Sequence, residues 1–410
     1  MKVLWILNKP LPEAMSFLTG NPEVSRSTGS WVCALGEALQ GEADLRLFTA
    51  SPSHLVTELS FMEGRLAGHF IFPARQNPWK EIFSRIQPDV IHIHGTEYPH
   101  ALQFVQTCGS HSVVVSLQGM TSVIREHYLG GIPESQIRKY ISLRDRIRKD
   151  SLIDQWRSVS LRGEAEIELL KSVGHVIGRT SWDRAVSLSI NPDLHYHFCN
   201  EVLRAPFYSG KWEYGHCTHH RLFLSQGHYP LKGAHILMEA LPDVLKQYPD
   251  TTVHIAGGNV LRGNTWTDKL LRSGYGRYLD ALMRKNQVAE TVHFTGDLDA
   301  EAFKKELLEA EIFVSASTIE NSPNSLCEAQ ILGVPCIASD VGGTSDLIPD
   351  PACGTLFPSG NPSALASAIC EDFTRSASFD NGSMRALALH RHDPEVIVRQ
   401  MLEIYGEVAA

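Results

Sequence analysis

Nowhere in the 410 residues does an apolar run approach the roughly 20 residues that a helix needs to cross a bilayer. That excludes a protein built on membrane-spanning helices. The N-terminal apolar run, Val3 to Leu7, is cut off by Asn8, Lys9 and Pro10, too early for the apolar core of a secretory leader, so export is not expected. Basic charge is also lacking: 37 Lys and Arg stand against 46 Asp and Glu, a formal net charge of -9. General nucleic-acid binding needs a basic surface to displace counterions from phosphates, so no nucleic-acid partner is expected. The eight cysteines are scattered, with no C-x-x-C pair, and indicate a reduced, cytoplasmic chain rather than a disulfide framework. Neither Gly nor Pro is abundant enough for a fibrous or disordered chain.

What is present is ordinary globular composition, 43% hydrophobic and 20% charged, in a chain longer than one core usually serves. Short apolar runs alternate with helix-length amphipathic segments, the pattern of parallel sheets covered by helices on both faces. In the first half the strands are expected at Val3 to Leu7, Leu45 to Thr49, Val90 to His94, Val113 to Leu117 and Val176 to Arg179, with helices notably at Ser30 to Gln40 and Pro78 to Gln87. The pattern restarts near residue 220, with strands at Arg221 to Ser225, Val253 to Ala256, Val292 to Phe294, Ile312 to Ser315 and Cys336 to Ala338. Between them Asn200 to His220 follows neither period and reads as a connection. The fold class is therefore α/β, two doubly wound Rossmann-like domains: residues 1–205, residues 206–390, and a C-terminal helix in 391–410 that could dock back on the first.

The most informative segment is FVSASTIENSPNSLCEAQILGVPCIASDVGG, Phe313 to Gly343. Glu320 falls in the loop after a strand and Glu328 inside the helix that Pro323 or Asn324 begins, so both carboxylates could face one ligand. The backbone N–H groups of Asn324, Ser325 and Leu326, at the positive end of that helix, are expected to be unpaired and ready for a diphosphate. An isolated E-x7-E would more often be a loop residue and a solvated helix residue.

The whole segment, however, resembles the donor-binding signature of the large retaining glycosyltransferase family 4, whose members have the two-domain GT-B fold. The match includes Ser315, Pro323, the Glu pair and the following GVPCIASDVGG. The resemblance implies that Glu320 contacts the donor sugar and Glu328 the ribose, while Gly342 and Gly343 let backbone approach the donor. YPLKGAHILMEAL, Tyr229 to Leu241, is a second match and implies that Lys232 supports the leaving diphosphate. Three positions depart from the family pattern. The usual Arg, five residues before the Lys, is Gly227, with Gln226 and His228 beside it; the usual Glu after the glycine pair is shortened to Asp346; and the usual His after the strand ending at Leu117 is Gln118. Glutamine can hydrogen-bond a sugar hydroxyl but cannot act as acid or base near neutral pH.

In the first half, Thr28, Gly29, Ser30 and Trp31 match the family's glycine-containing loop, with Gly29 and Ser30 toward phosphates or acceptor. DVIHIHGTEYPH places His92, His94 and His100 around a strand end. His94 reads as a ligand-lining polar group and His92 as structural, because a zinc site would need further ligands. GRTSWDRA, Gly178 to Ala185, resembles a subset of the family and offers Arg179 to acceptor or phosphate. Asp297, Leu298 and Asp299 spell a metal-nucleotide motif, but N-capping of the helix from Ala300 explains them better. His216, Cys217, His219 and His220 have ligand-like spacing without a second cluster to close a shell. Arg138, Lys139, Arg144, Arg146, Arg148 and Lys149 crowd a stretch that also carries Ile137, Ile141 and Ile147, a solvated helix or a contact with an anionic membrane.

The resemblance implies transfer of a sugar, with retention, from a nucleotide-sugar donor to a glycan or lipid-linked acceptor in surface polysaccharide or glycoconjugate synthesis, without metal or cofactor. The alternatives are a non-catalytic nucleotide-sugar-binding protein and a nucleotide-sugar epimerase of the same fold.

Overall fold

The computed structural model describes residues 1–21, 30–64, 66–258, 260–261, 265, 268 and 271–410. The chain divides into two compact units, residues 1–122 with 161–204 and 391–410, and residues 123–160 with 205–390. Each contains one sheet.

The first unit's sheet is β1 (Lys2–Ile6), β2 (Arg46–Ser53), β3 (Ser60–Met62), β4 (Gly68–Pro73), β5 (Val90–His94), β6 (Val113–Ser116), β7 (His175–Gly178) and β8 (His195–Phe198), in the order β3-β4-β2-β1-β5-β6-β7-β8. All neighbours are parallel except β3 with β4. The second unit's sheet is parallel throughout: β9 (Arg221–Leu224), β10 (Thr252–Ala256), β11 (Val292–Gly296), β12 (Ile312–Ser315), β13 (Cys336–Asp340) and β14 (Thr355–Pro358), in the order β11-β10-β9-β12-β13-β14. Strands such as VVVS in β6 and IFVS in β12 are apolar on both faces because helices cover both faces, and all their residues are buried. In each sheet the strand order reverses once, between β1 and β5 and between β9 and β12. Ligands in open α/β sheets bind beyond the strand ends at that reversal.

One segment packs differently from the boundaries read in the sequence, and the C-terminal helix docks on the first unit. Residues 123–160 join the second unit: Ile132, Ile137, Leu152 and Ile153 are buried in the same core cluster as Tyr275 and Tyr278. Polar contacts hold the segment there, His235 Nε2 lying 2.9 Å from Gly130 O and Gly274 N donating to Asp145 Oδ2 at 2.8 Å. The C-terminal helix Pro394–Ala409 belongs to the first unit, where the buried Tyr405 hydroxyl accepts from Trp5 Nε1 at 2.9 Å and lies 2.7 Å from His92 Nδ1. The basic stretch is two short helices, Glu134–Tyr140 and Leu143–Arg148, rather than one. Ile137 is buried and Ile141 half-buried against the core, so the apolar residues left at the surface are Leu143 and Ile147, 68% and 74% exposed. Among the described residues no helix is long and apolar enough to cross a membrane.

The cores hold several neutral histidines. Burial pushes His92 down to about 3 and His100, His235 and His392 down to about 4. The unfolded chain, with histidines near 6.5, therefore binds more protons than the folded chain between pH 6.5 and 4, so stability is full above that window and falls as the pH drops through it. At pH 5 each such group costs about 2 kcal/mol, against a total of about 5–15 kcal/mol. The melting midpoint is expected to fall by at least ~10 °C between pH 7.5 and 5. Calorimetric scans that agree within about 2 °C at both pH values would exclude these assignments.

Candidate functional site

In the second unit β9, β12 and β13 lie side by side, so the loops after their C-terminal ends converge at the reversal of strand order. The loop after β9 closes with the short turn Pro230–Lys232 and then Gly233, which opens the helix Ala234–Gln247 with φ of 72°. A Cβ on Gly233 would stand 1.8 Å from Ala316 O, so only glycine lets this loop lie against the backbone leaving β12. Thr318 N donates to Leu231 O at 2.8 Å, joining the two loops again. This double attachment sets Lys232 beside Glu320, whose Nζ and Oε1 are 2.5 Å apart.

The ion pair is mostly enclosed, with 19% of the lysine and 13% of the glutamate side chain exposed. Ser317 Oγ donates to the same Glu320 oxygen at 2.7 Å, and the Tyr229 hydroxyl donates to Gln226 Oε1 at 3.1 Å. Burial alone would lower the Lys232 ammonium, but the Glu320 carboxylate, followed by Tyr229, more than offsets it and holds the ammonium above its ordinary range. Lys232 is thus a permanent cation. The glycine pair after β13 fixes Glu320 from the other side. Gly342, with φ of 53°, places its Cα where a Cβ would be 1.9 Å from Glu320 O, and Gly343 N donates to that oxygen at 3.1 Å.

The helix Asn324–Leu332 begins at Pro323 with no side-chain cap. The Leu326 amide already donates to Pro323 O at 3.0 Å, so it is not among the amides left for an anion, a correction to the sequence expectation. Asn324 and Ser325 open this helix and are half-buried. Glu328 lies within the helix and is only 2% exposed, not the solvated residue that an isolated E-x7-E suggests. Gly227 is more than a missing arginine: a Cβ there would meet Ile255 Cγ2 at 2.5 Å, so a larger residue needs the strand or loop to move. Asp299 caps the helix Ala300–Glu309, its Oδ1 accepting from Ala302 N at 2.8 Å.

The first unit assembles His94, Gln118 and Arg179 on one small pocket together with Asn200 and Glu201. Arg179 is held by the protein's own groups. Its buried guanidinium pairs with Glu201 and donates to Leu117 O at 2.5 Å, holding the loop after β6. Gln118 Nε2 donates to the same Glu201 at 2.6 Å. Glu201, which no local pattern marks, therefore organises both. His92 has its two ring nitrogens against Tyr405 and Ser116, and is structural. His94 stacks on it at 3.8 Å and meets Trp5 edge-on. Burial, then the neighbouring His92, pushes His94 well down, so the ring is neutral. His94 Nε2 is buried with no hydrogen-bond partner among the described residues.

The reversal of strand order between β1 and β5 carries a further pair that sequence reasoning missed. Asn8 Nδ2 donates to Glu97 Oε2 at 3.3 Å, and Glu97 Oε1 accepts from Gly119 N at 3.3 Å. Burial raises the Glu97 carboxyl, although the backbone amides it accepts from act in the opposite direction. Glu166, fully buried, accepts from Thr96 Oγ1, Thr121 N and Ser122 N and so ties the loop after β5 to the loop after β6. Thr28 and Gly29 lie outside the described residues, and Ser30 begins the helix Ser30–Leu39.

Residues 219–373, which include Lys232, Glu320, Glu328 and the glycine pair, match the family described as Glycosyl transferases group 1. The chain is 28% identical over 193 residues to a phosphatidyl-myo-inositol mannosyltransferase of Mycobacterium leprae, covering 46% of each chain. It thus spans about half the length of the curated relatives it matches. Among solved structures, sucrose-phosphate synthase of Thermosynechococcus elongatus superposes with a TM-score of 0.69 at 16% identity, over 100% of this chain and 99% of that one. Anabaena HepE in complex with UDP-glucose gives 0.68 at 16% identity, over 99% and 100%. Likeness at such identity speaks for the fold, whereas the family match falls on the residues of the site. The chain has the GT-B fold, and its residues 219–373 are similar to glycosyl transferases group 1.

Proposed function

We propose that this protein is a retaining glycosyltransferase that moves a sugar from a nucleotide-diphosphate sugar to a lipid-linked or glycan acceptor without a metal ion. The observation that carries this reading is the Lys232–Glu320 pair, clamped by Gly233 and Gly342 where strand order reverses. The second unit holds the donor. Lys232 turns from Glu320 to the diphosphate and neutralises the charge that grows on the leaving oxygen. Glu320, released, accepts hydrogen bonds from the sugar hydroxyls and orients the ring. The acceptor oxygen bonds to the anomeric carbon on the side from which the diphosphate departs, the carbon–oxygen bond to phosphate breaks, and the acceptor proton passes to the departing phosphate. Among the described residues around Glu320 no side chain is placed as a covalent nucleophile, so positioning and charge neutralisation carry the rate.

The first unit takes the acceptor, with the unpartnered His94 Nε2 available to its hydroxyls. A lipid-linked acceptor agrees with the naming of the Mycobacterium leprae relative. It agrees also with Leu143 and Ile147, exposed one helical turn apart and flanked by exposed Arg146, Arg148 and Lys149, a combination suited to the inner, anionic face of a membrane.

The test is release of nucleoside diphosphate from a panel of UDP-, GDP- and ADP-sugars in EDTA, with and without vesicles containing phosphatidylinositol. Donor-specific release that persists in EDTA and rises with vesicles is expected. A donor that binds by calorimetry but is never turned over would overturn the enzymatic reading in favour of a binding protein. Release that is unchanged by vesicles would remove the lipid acceptor.

A further inference from the structure

The strand β8 reads HYHF, and alternation along a strand sends His195 and His197 to the same face. Its parallel neighbour β7 sets His175 directly opposite His195, so three imidazoles share one patch at the edge of the first unit's sheet. Their ring centroids are 4.4 to 5.4 Å apart. The C-terminal helix then brings Glu407 onto this patch. Its Oε2 lies 3.7 Å from His195 Nε2 and 3.7 Å from His197 Nδ1. These three ligand atoms are all within 4.8 Å of one another.

We propose that His195, His197 and Glu407 form a binding site for a zinc-class divalent cation that staples the C-terminal helix to the edge strand. Zinc bonds of about 2.0–2.1 Å in tetrahedral geometry separate ligand atoms by about 3.3–3.4 Å. Closing the two carboxylate contacts to that spacing needs movements of a few tenths of an ångström. His195 and Glu407, 61% and 58% exposed, can make them by rotation about side-chain bonds. Two imidazoles with one carboxylate suit zinc, whereas magnesium and calcium prefer oxygen ligands throughout. Three protein ligands leave the fourth position to water.

The ligands are also prepared for a metal. His175 Nδ1 lies 3.0 Å from His197 Nε2. With Nδ1 of His197 on the metal, its Nε2–H donates to His175 Nδ1, the outer hydrogen bond that commonly orients a metal-bound imidazole. The other histidine-rich stretch lacks this convergence: His216, His219 and His220 face Glu213, Glu311 and Asp250 separately. None of the three proposed ligands belongs to the transfer machinery, so the site's role is mechanical. It covers an edge strand and ties down a helix whose sequence is far from that strand.

The experiment titrates Zn²⁺ into the full, untagged chain after chelator treatment, by calorimetry and by thermal melting. One equivalent is expected to bind and raise the melting midpoint, and Mg²⁺ to do neither. Glu407→Gln and His195→Gln, both at exposed positions, should each weaken zinc binding by at least about tenfold, with circular dichroism unchanged. His175→Gln, a positioning change, should weaken it by about 10–100-fold. The absence of binding by wild type at micromolar zinc would overturn the site. So would binding that survives unchanged in both Glu407→Gln and His195→Gln.

Discussion

The Lys232→Ala chain is expected to release nucleoside diphosphate about 10²–10³-fold more slowly than wild type, the loss seen when one preorganised stabiliser of developing charge is removed. Its melting midpoint should fall by no more than ~10 °C. The two effects differ because the lysine does different work in each state. In the unliganded chain it neutralises Glu320, which keeps the hydrogen bond from Ser317 Oγ after truncation. Leaving that carboxylate partly enclosed with one partner fewer costs about 1–3 kcal/mol, less than the stability of a typical domain. In the transition state the leaving diphosphate gains charge, and no water-borne cation reaches it in a fixed position. Lys232→Arg keeps the charge but must fit a planar fork between Tyr229, Glu320 and the Gly233 turn, so it should recover only part of the rate. Single-turnover release with saturating donor separates this from weaker binding. A Lys232→Ala rate within about threefold of wild type would remove the lysine from catalysis.

Lys232 and Glu320 could be found in the sequence because each sits just beyond an apolar run that ends in a loop and helix start, and because motif and position agree. Their pairing could not, since it joins residues 88 apart through the order in which strands assemble. The same limit hid Glu201, which holds Arg179 and Gln118 together from positions with no local periodicity. Strands buried on both faces were legible as apolar runs, as in Val113 to Leu117. β8 was not, because HYHF at a sheet edge alternates polar rings with aromatics and bears no such run. β14, TLFP, is short and ends in proline. Residues 123–160 were placed with the first domain because chain order suggests it. Helical periodicity tells which face of a helix is buried but not against what, and Ile132 and Ile137 turn out to be buried against Tyr275 and Tyr278.

Beside Gly233→Ala, Gly342→Ala should be among the most damaging small substitutions in the second unit. Two costs add there and a control separates them. The first is conformational: with φ of 53° any residue bearing a Cβ pays about 1–2 kcal/mol. The second is contact, since the new Cβ would stand 1.9 Å from Glu320 O, a backbone atom that cannot rotate away. Relief requires the glycine turn and the Glu320 loop to separate, breaking the bond from Gly343 N to Glu320 O and moving the carboxylate that Lys232 and Ser317 hold. Gly360, with φ of 68° and nothing within 4 Å of its added Cβ, carries only the first cost. Gly342→Ala is therefore expected to lose about 2–4 kcal/mol of stability and at least ~100-fold in turnover, and Gly360→Ala about 1–2 kcal/mol with turnover unchanged. Urea denaturation and initial rates on the same preparations read both quantities. Equal losses in the two variants would mean that left-handed backbone strain alone sets the cost and that the approach of Gly342 to Glu320 plays no part in holding the site.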